Sequence, residues 1–190
     1  MEDYKKKLEA IIDFDIKEIN KTWNEDDIKS FEEKYKIKLP QDYKFYLQHY
    51  GNDYIREAYC FIPSIELSKK IQQTQFEIDS FYGLYNDENN IEDKMNFYKD
   101  IIPVDLIPIG DLPGGDLVCL GTKDDKQNKI YFWFHEKDEK NVHLVSDSFK
   151  NFIMNFKSIN VEKNILDDVE LNISNKLNTF LINASKNFKK

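Results

Sequence analysis

At 190 residues, 41% hydrophobic and 14% aromatic, the chain has the apolar material for one folded domain rather than a disordered polymer. Its formal net charge of −8, from 27 basic against 35 acidic side chains, repels nucleic acid and anionic lipid and favours a basic partner. No apolar run approaches the ~18 residues of a membrane span, and the opening MEDYKKKLEAIIDFD carries no signal-peptide stretch, so the cytoplasm is the expected compartment.

All five prolines lie between Pro40 and Pro113, which leaves both ends free of helix breakers. Tyr4, Leu8, Ile11 and Ile12 have helical spacing and predict a short first helix. In WNEDDIKSFEEKYKIKLP, Asn24 is placed to cap a second helix, with Glu25, Asp26 and Asp27 where the helix dipole favours negative charge. Ile28, Phe31 and Tyr35 share one face of it. Pro40 starts a third helix through Tyr43, Tyr46, Leu47 and Tyr50, and Gly51 stands at its C-terminal cap. The β-branched and aromatic runs IREAYCFI and FEIDSFYGLY then read as strands, with ELSKKIQQTQ between them as a short helix. NIEDKMNFYKDI predicts another helix through Ile91, Met95 and Tyr98. Four strands follow, DLIPIGD, DLVCLGT, KIYFWFHE and NVHLVS, and their hairpin-length connections imply antiparallel pairing.

Ser146 or Asp147 then caps a helix whose stripe, Phe149, Phe152, Ile153 and Phe156, is suited to lie on the sheet. Ile165, Val169, Ile173 and Leu177 continue at fourfold spacing and predict a C-terminal amphipathic helix, which either packs on the domain or mediates self-association. The expected architecture is α+β: a domain over 1–160, with a central antiparallel sheet and flanking helices, and a helical extension over 161–190.

Four places invite a chemical reading. The stretch IPIGDLPGGDLVCLG is rich in glycine, but a phosphate-cradling loop opens a helix, and here a strand-like run follows. Asp111 and Asp116 would also repel a phosphate. It reads as a turn, with Gly114 or Gly115 free to take φ > 0. Cys60 and Cys119 sit in apolar contexts and read as buried core residues. His135 and His143 flank the KDEK turn as cross-strand neighbours, and with Glu136 they are either a metal or acid–base cluster or ordinary, partly exposed histidines. The stretch from Asp79 to Asp105 holds seven carboxylates against Lys94 and Lys99, interleaved with Tyr82, Tyr85 and Tyr98. Acid plus exposed tyrosine suits protein recognition, since charge steers encounter and rings anchor contact. The alternative is a solubilising face over core aromatics.

Taken in order, IKSFEEKYKIKLPQDYKFYLQHYGN, FYGLY, LIPIGDLPGGDLVCLG, KIYFWFHE and SDSFKNFI make the chain resemble the SUKH superfamily. That superfamily includes Smi/Knr-type fungal cell-wall regulators and many bacterial immunity proteins. The resemblance spans about residues 24–157 and includes Tyr131, Trp133 and His135 of the family's strand motif. It departs at Tyr50-Gly51-Asn52, where the family often has Asn-Gly-Gly. It implies an α+β fold and binding rather than catalysis, with no catalytic residue, metal or cofactor to carry over. The implied partner is a cognate toxin protein, often a nuclease and so commonly basic. The expected contact residues are Tyr82, Tyr85, Asp87, Glu88, Glu92, Asp93, Asp111 and Asp116. The alternative is a regulatory or scaffolding adaptor with no toxin. Oligomeric state is left open.

Overall fold

The computed structural model describes residues 1–14, 22–51, 53–65, 67, 71, 73–84, 89–136 and 141–159. The predicted C-terminal helix lies outside them. Residues Met1–Lys157 form one compact unit.

Helix α1 (Glu2–Ile11) buries Tyr4, Leu8 and Ile11. Helix α2 (Glu25–Tyr35) begins in a reciprocal cap: Asp27 N–H donates to Asn24 Oδ1 and Asn24 N–H to Asp27 Oδ2, both at 2.9 Å. It ends at Lys36, which takes a left-handed φ of 52°. Pro40 sits at the N-cap of α3 (Gln41–His49), just before the first helical turn, and Gly51 beyond its end takes φ 88°. Glu32 joins these two helices. Its buried carboxylate accepts from Leu39 N–H at 2.7 Å and lies 2.7 Å from Lys44 Nζ and 3.3 Å from Lys38 Nζ. Burial pushes this carboxyl up, but the bonds from Lys44, Leu39 and Lys38 together outweigh it and hold Glu32 below the ordinary glutamate range.

The two runs read as long strands form only β1 (Tyr59–Phe61) and β2 (Ser80–Phe81). The chain before β1 divides its backbone groups between partners instead: Ile55 N–H donates to Asp79, Arg56 N–H to Ile11, and Tyr54 bridges Ser80. Leu67, Ile71 and residues 73–75, the described part of the predicted intervening helix, are not helical.

Helix α4 (Ile91–Phe97) precedes the main strands β3 (Leu106–Leu112), β4 (Asp116–Gly121), β5 (Ile130–Trp133) and β6 (Val142–Ser146). With β2 they form an antiparallel sheet ordered β2-β3-β4-β5-β6. The glycine stretch is the β3–β4 turn: Gly114 and Gly115 both take positive φ, 84° and 90°, and a strand follows rather than a helix. Helix α5 (Phe149–Met154) is capped by Ser148, not Ser146 or Asp147, because the Ser148 hydroxyl is the one that reaches Asn151 N–H. Strand β7 (Phe156–Ser158) then pairs with β1 in a second, two-stranded sheet. The fold is α+β, with five helices and two sheets among the described residues.

Register decides which side chains share a face. Phe81 pairs with Gly110, Gly110 with Val118, and Val118 with Phe132, so this row points one way. On that side lie Phe149 and Phe152 of α5: Phe149 sits 5.6 Å from Phe81, and Phe152 lies 6.1 Å from Phe81 and 6.2 Å from Phe132, ring to ring. Tyr43 and Tyr46 of α3 extend the same cluster to Phe149, at 4.9 and 5.5 Å. Asp42 ties the two helices by accepting Lys150 N–H at 2.6 Å. The opposite face carries Trp133, against which Tyr98, beyond the end of α4, stacks edge-on at 5.8 Å. At roughly 1.5–3 kcal/mol per buried large apolar side chain, the aromatic layer under α5 is the main support of the domain.

Candidate partner-binding surface

Helix α4 is short and relies on its cap. The Asn90 side chain accepts from Glu92 N–H at 2.8 Å and from Asp93 N–H at 3.1 Å, and the two acids occupy the turn where the dipole favours them. Ile91 is its buried residue. Glu92 reaches across to α2, 2.8 Å from Lys34 Nζ, and this bond holds the lysine above its ordinary range. Asp93 is exposed.

Tyr82 was expected at the surface and is instead fully buried. Alternation places it opposite Phe81, on the α4 side, where its hydroxyl donates to Asp111 Oδ1. Lys94 covers the pair, its Nζ 3.5 Å from Asp111 Oδ2 and 4.9 Å from the centre of the Tyr82 ring. Burial, then the bond to Asp111, pushes the Tyr82 phenol far up, so it remains a proton donor. Asp111 is thereby occupied within the domain. Asp116 is occupied as well: it accepts His135 N–H at 2.9 Å, and His135 Nδ1 lies 2.8 Å from the same oxygen. Because Asp111 pairs with Leu117 and Asp116 with Leu112, the two aspartates point to opposite faces of the hairpin. Tyr85, Asp87 and Glu88 lie outside the described residues.

His135 and His143 are not cross-strand neighbours. The β5–β6 register sets His143 opposite Phe132, while His135 lies beyond the end of β5 and turns to Asp116. Among the described residues, no group of three or more His, Cys, Asp or Glu is placed to hold a metal ion. His49 stacks on Phe45 at 4.1 Å and bonds its carbonyl. Cys60 and Cys119 are buried thiols, and burial pushes Cys119 well above the ordinary cysteine range. No described helix is long and apolar enough to cross a membrane.

The notable surface is the segment that follows α4. Phe97, Ile101 and Val104 are 70, 53 and 86% exposed, unusual for large apolar side chains. They flank an open cleft of about 410 Å³ whose walls include Tyr35 and Ile37 at the end of α2, Met95 and Tyr98, and Ile107 on β3. Val104 itself lines the cleft, Ile101 falls between the lining residues Asp100 and Ile102, and Phe97 packs on Tyr98 at 4.9 Å. Over NFYKDIIPVDLIPI the sequence predicts helix as far as Ile101 and strand from Asp105, whereas α4 ends at Phe97, and nothing in the spacing marks which apolar positions face outward. The one available signal was Pro103, which ends helical phase before the next strand begins.

The surroundings of the cleft are mixed in charge but acidic on balance once internal pairs are set aside. Glu92 is committed to Lys34, Asp111 to Lys94 and Asp105 to Lys126, the last at 2.6 Å. Asp93, Asp100, Asp124 and Asp125 are exposed around it, against exposed Lys36, Lys99 and Lys123.

This arrangement of helices, glycine hairpin and aromatic strand has relatives. Residues 22–155 match the family described as SMI1 / KNR4 family (SUKH-1). The SPbeta prophage-derived uncharacterized protein YokK of Bacillus subtilis (strain 168) is 31% identical over 146 residues, covering 68% of this chain and 72% of that protein. The matched region runs from the residue before Trp23, through α2, the α4 cleft and the hairpin, to the end of α5, and the chain belongs to the SMI1 / KNR4 (SUKH-1) family.

Proposed function

We propose that this chain is an immunity protein, which binds a cognate bacterial toxin, often a nuclease in such systems, and neutralises it by occupancy rather than catalysis. The observation that carries this reading is the exposed apolar trio Phe97, Ile101 and Val104 beside an open cleft, on a chain of net charge −8. Exposed apolar side chains next to free carboxylates suit a basic protein partner, for which charge speeds encounter and apolar contact slows release. Groups a catalytic reading would need have other roles: Cys119 is buried, and His135 is tied to Asp116. The prophage origin named for the Bacillus subtilis relative fits a gene that travels with the toxin it counters. The expected site of action is the cytoplasm, where such a toxin meets its target.

The test is co-expression with the toxin-type gene beside this one. Arrest by the toxin alone, growth restored by this chain, and co-purification of the two are the expected results. A gene with no toxin-type neighbour, whose product leaves toxin-arrested cells unrescued, favours the Smi/Knr-type adaptor instead.

A further inference from the structure

The geometry points to the α4–β3 segment as the anchor of the interface, and to a basic partner segment as its occupant: one apolar side chain enters the cleft, with lysine or arginine on its flanks. This rests on the immunity reading and adds the contact site and the chemistry of what fills it.

Three observations converge. The cleft holds about 410 Å³ between Tyr35, Ile37, Met95, Tyr98 and Ile107, enough for a large side chain from another protein. The exposed Phe97, Ile101 and Val104 extend that apolar surface outward, so a seated side chain meets further contact rather than water. Finally, among the described residues the carboxylates that remain after internal ion pairing, Asp93, Asp100, Asp124 and Asp125, outnumber the exposed lysines Lys36, Lys99 and Lys123. Apolar insertion flanked by cations is the complement of that pattern.

The segment is also supported from behind. Lys34 and Glu92 clasp α2 to α4, and Tyr98 rests on Trp133 of the sheet. A partner therefore meets preset walls, and little ordering cost is added on binding.

The test measures binding to the purified toxin domain encoded beside this gene, using three variants of the full chain. Phe97→Ser/Val104→Ser removes the anchors. Asp93→Asn/Asp100→Asn/Asp124→Asn/Asp125→Asn removes the free charge. Met154→Ser, on α5 at the other face of the sheet, is the control. Every altered residue is exposed, and circular dichroism melting confirms that each variant folds. The expected results are a Kd weakened roughly 30-fold or more by the double variant, an association rate slowed roughly 10-fold at low salt by the charge variant, and no change for the control. If the wild-type chain binds and the double variant binds equally well, the contact site is overturned while the immunity reading stands. An unchanged association rate in the charge variant overturns the basic character of the occupant. Absence of wild-type binding overturns the immunity reading and this inference with it.

Discussion

Tyr82, just past β2, donates its hydroxyl to the Asp111 carboxylate on β3, and Lys94 of α4 lies over both. The group joins the edge of the sheet to the helix that carries the exposed segment. Its three members are an aromatic ring, an acid and a cation, and each satisfies the other two within the domain.

Tyr82→Phe removes the donor while keeping the ring. Asp111 is about a quarter exposed and can take water in its place, so the cost is at the low end for a hydrogen bond to a charged group, about 1.5 kcal/mol. Urea unfolding checks the value. Binding of the proposed toxin partner is expected to stay at the wild-type level in this variant, because Tyr82 is buried beneath the surface rather than part of it.

Glu32 gives the fold a dependence on acid. Its folded-state value lies below the ordinary 4.5, so the stabilisation is complete above about that pH and is lost as pH falls through the lower, folded value. Glu32→Gln flattens this acid limb. At neutral pH it strands Lys44, whose side chain is only one-fifth exposed, and costs about 3 kcal/mol. Thermal midpoints of both proteins between neutral pH and pH 3 check the two effects together.

Phe152 is fully buried among Phe61, Phe81, Phe132, Phe149 and Phe156. Phe152→Ala leaves a cavity that α5 cannot close without moving its neighbours, and costs about 3–5 kcal/mol. Calorimetry shows this as a large drop in melting temperature; an unchanged midpoint would mean the helix does not pack as described.

Gly121 and Gly114 separate two reasons for glycine. A Cβ on Gly121 would stand 1.9 Å from the Lys126 carbonyl oxygen in the 3-10 turn Asp124–Lys126, so Gly121→Ala costs about 3 kcal/mol through displaced backbone. A Cβ on Gly114 meets nothing within 4 Å, and Gly114→Ala costs about 1 kcal/mol from its φ of 84° alone. Chemical denaturation of both variants tests the ranking.

Local signals account for what the residues announced in advance. The Asn24 cap, the apolar stripe Phe149, Phe152 and Ile153 and the glycine hairpin each depend on neighbours close in sequence, and each is present, whereas Phe156, expected on the same helix, is buried from strand β7. What escaped the reading depends on partners far away in the chain. Tyr82 looked exposed because tyrosine and acid alternate around it, yet Asp111, 29 residues on, draws it inward. His143 missed His135 because the turn and the ladder, with an irregularity at Ile130/Tyr131, set the register. Phe97, Ile101 and Val104 left no trace, since exposure of an apolar residue is decided by what fails to cover it.

That exposed segment has an evolutionary consequence. Phe97 and Val104 lie mostly in solvent, while the support of the fold lies on the other face of the sheet, around Phe132 and Phe152. Surface substitutions away from packed features usually shift stability by no more than about 0.5 kcal/mol. Phe97, Ile101 and Val104 can therefore diverge as a partner diverges while Tyr98 and the scaffold behind it stay intact, and a duplicated copy could acquire a new partner without first losing its fold.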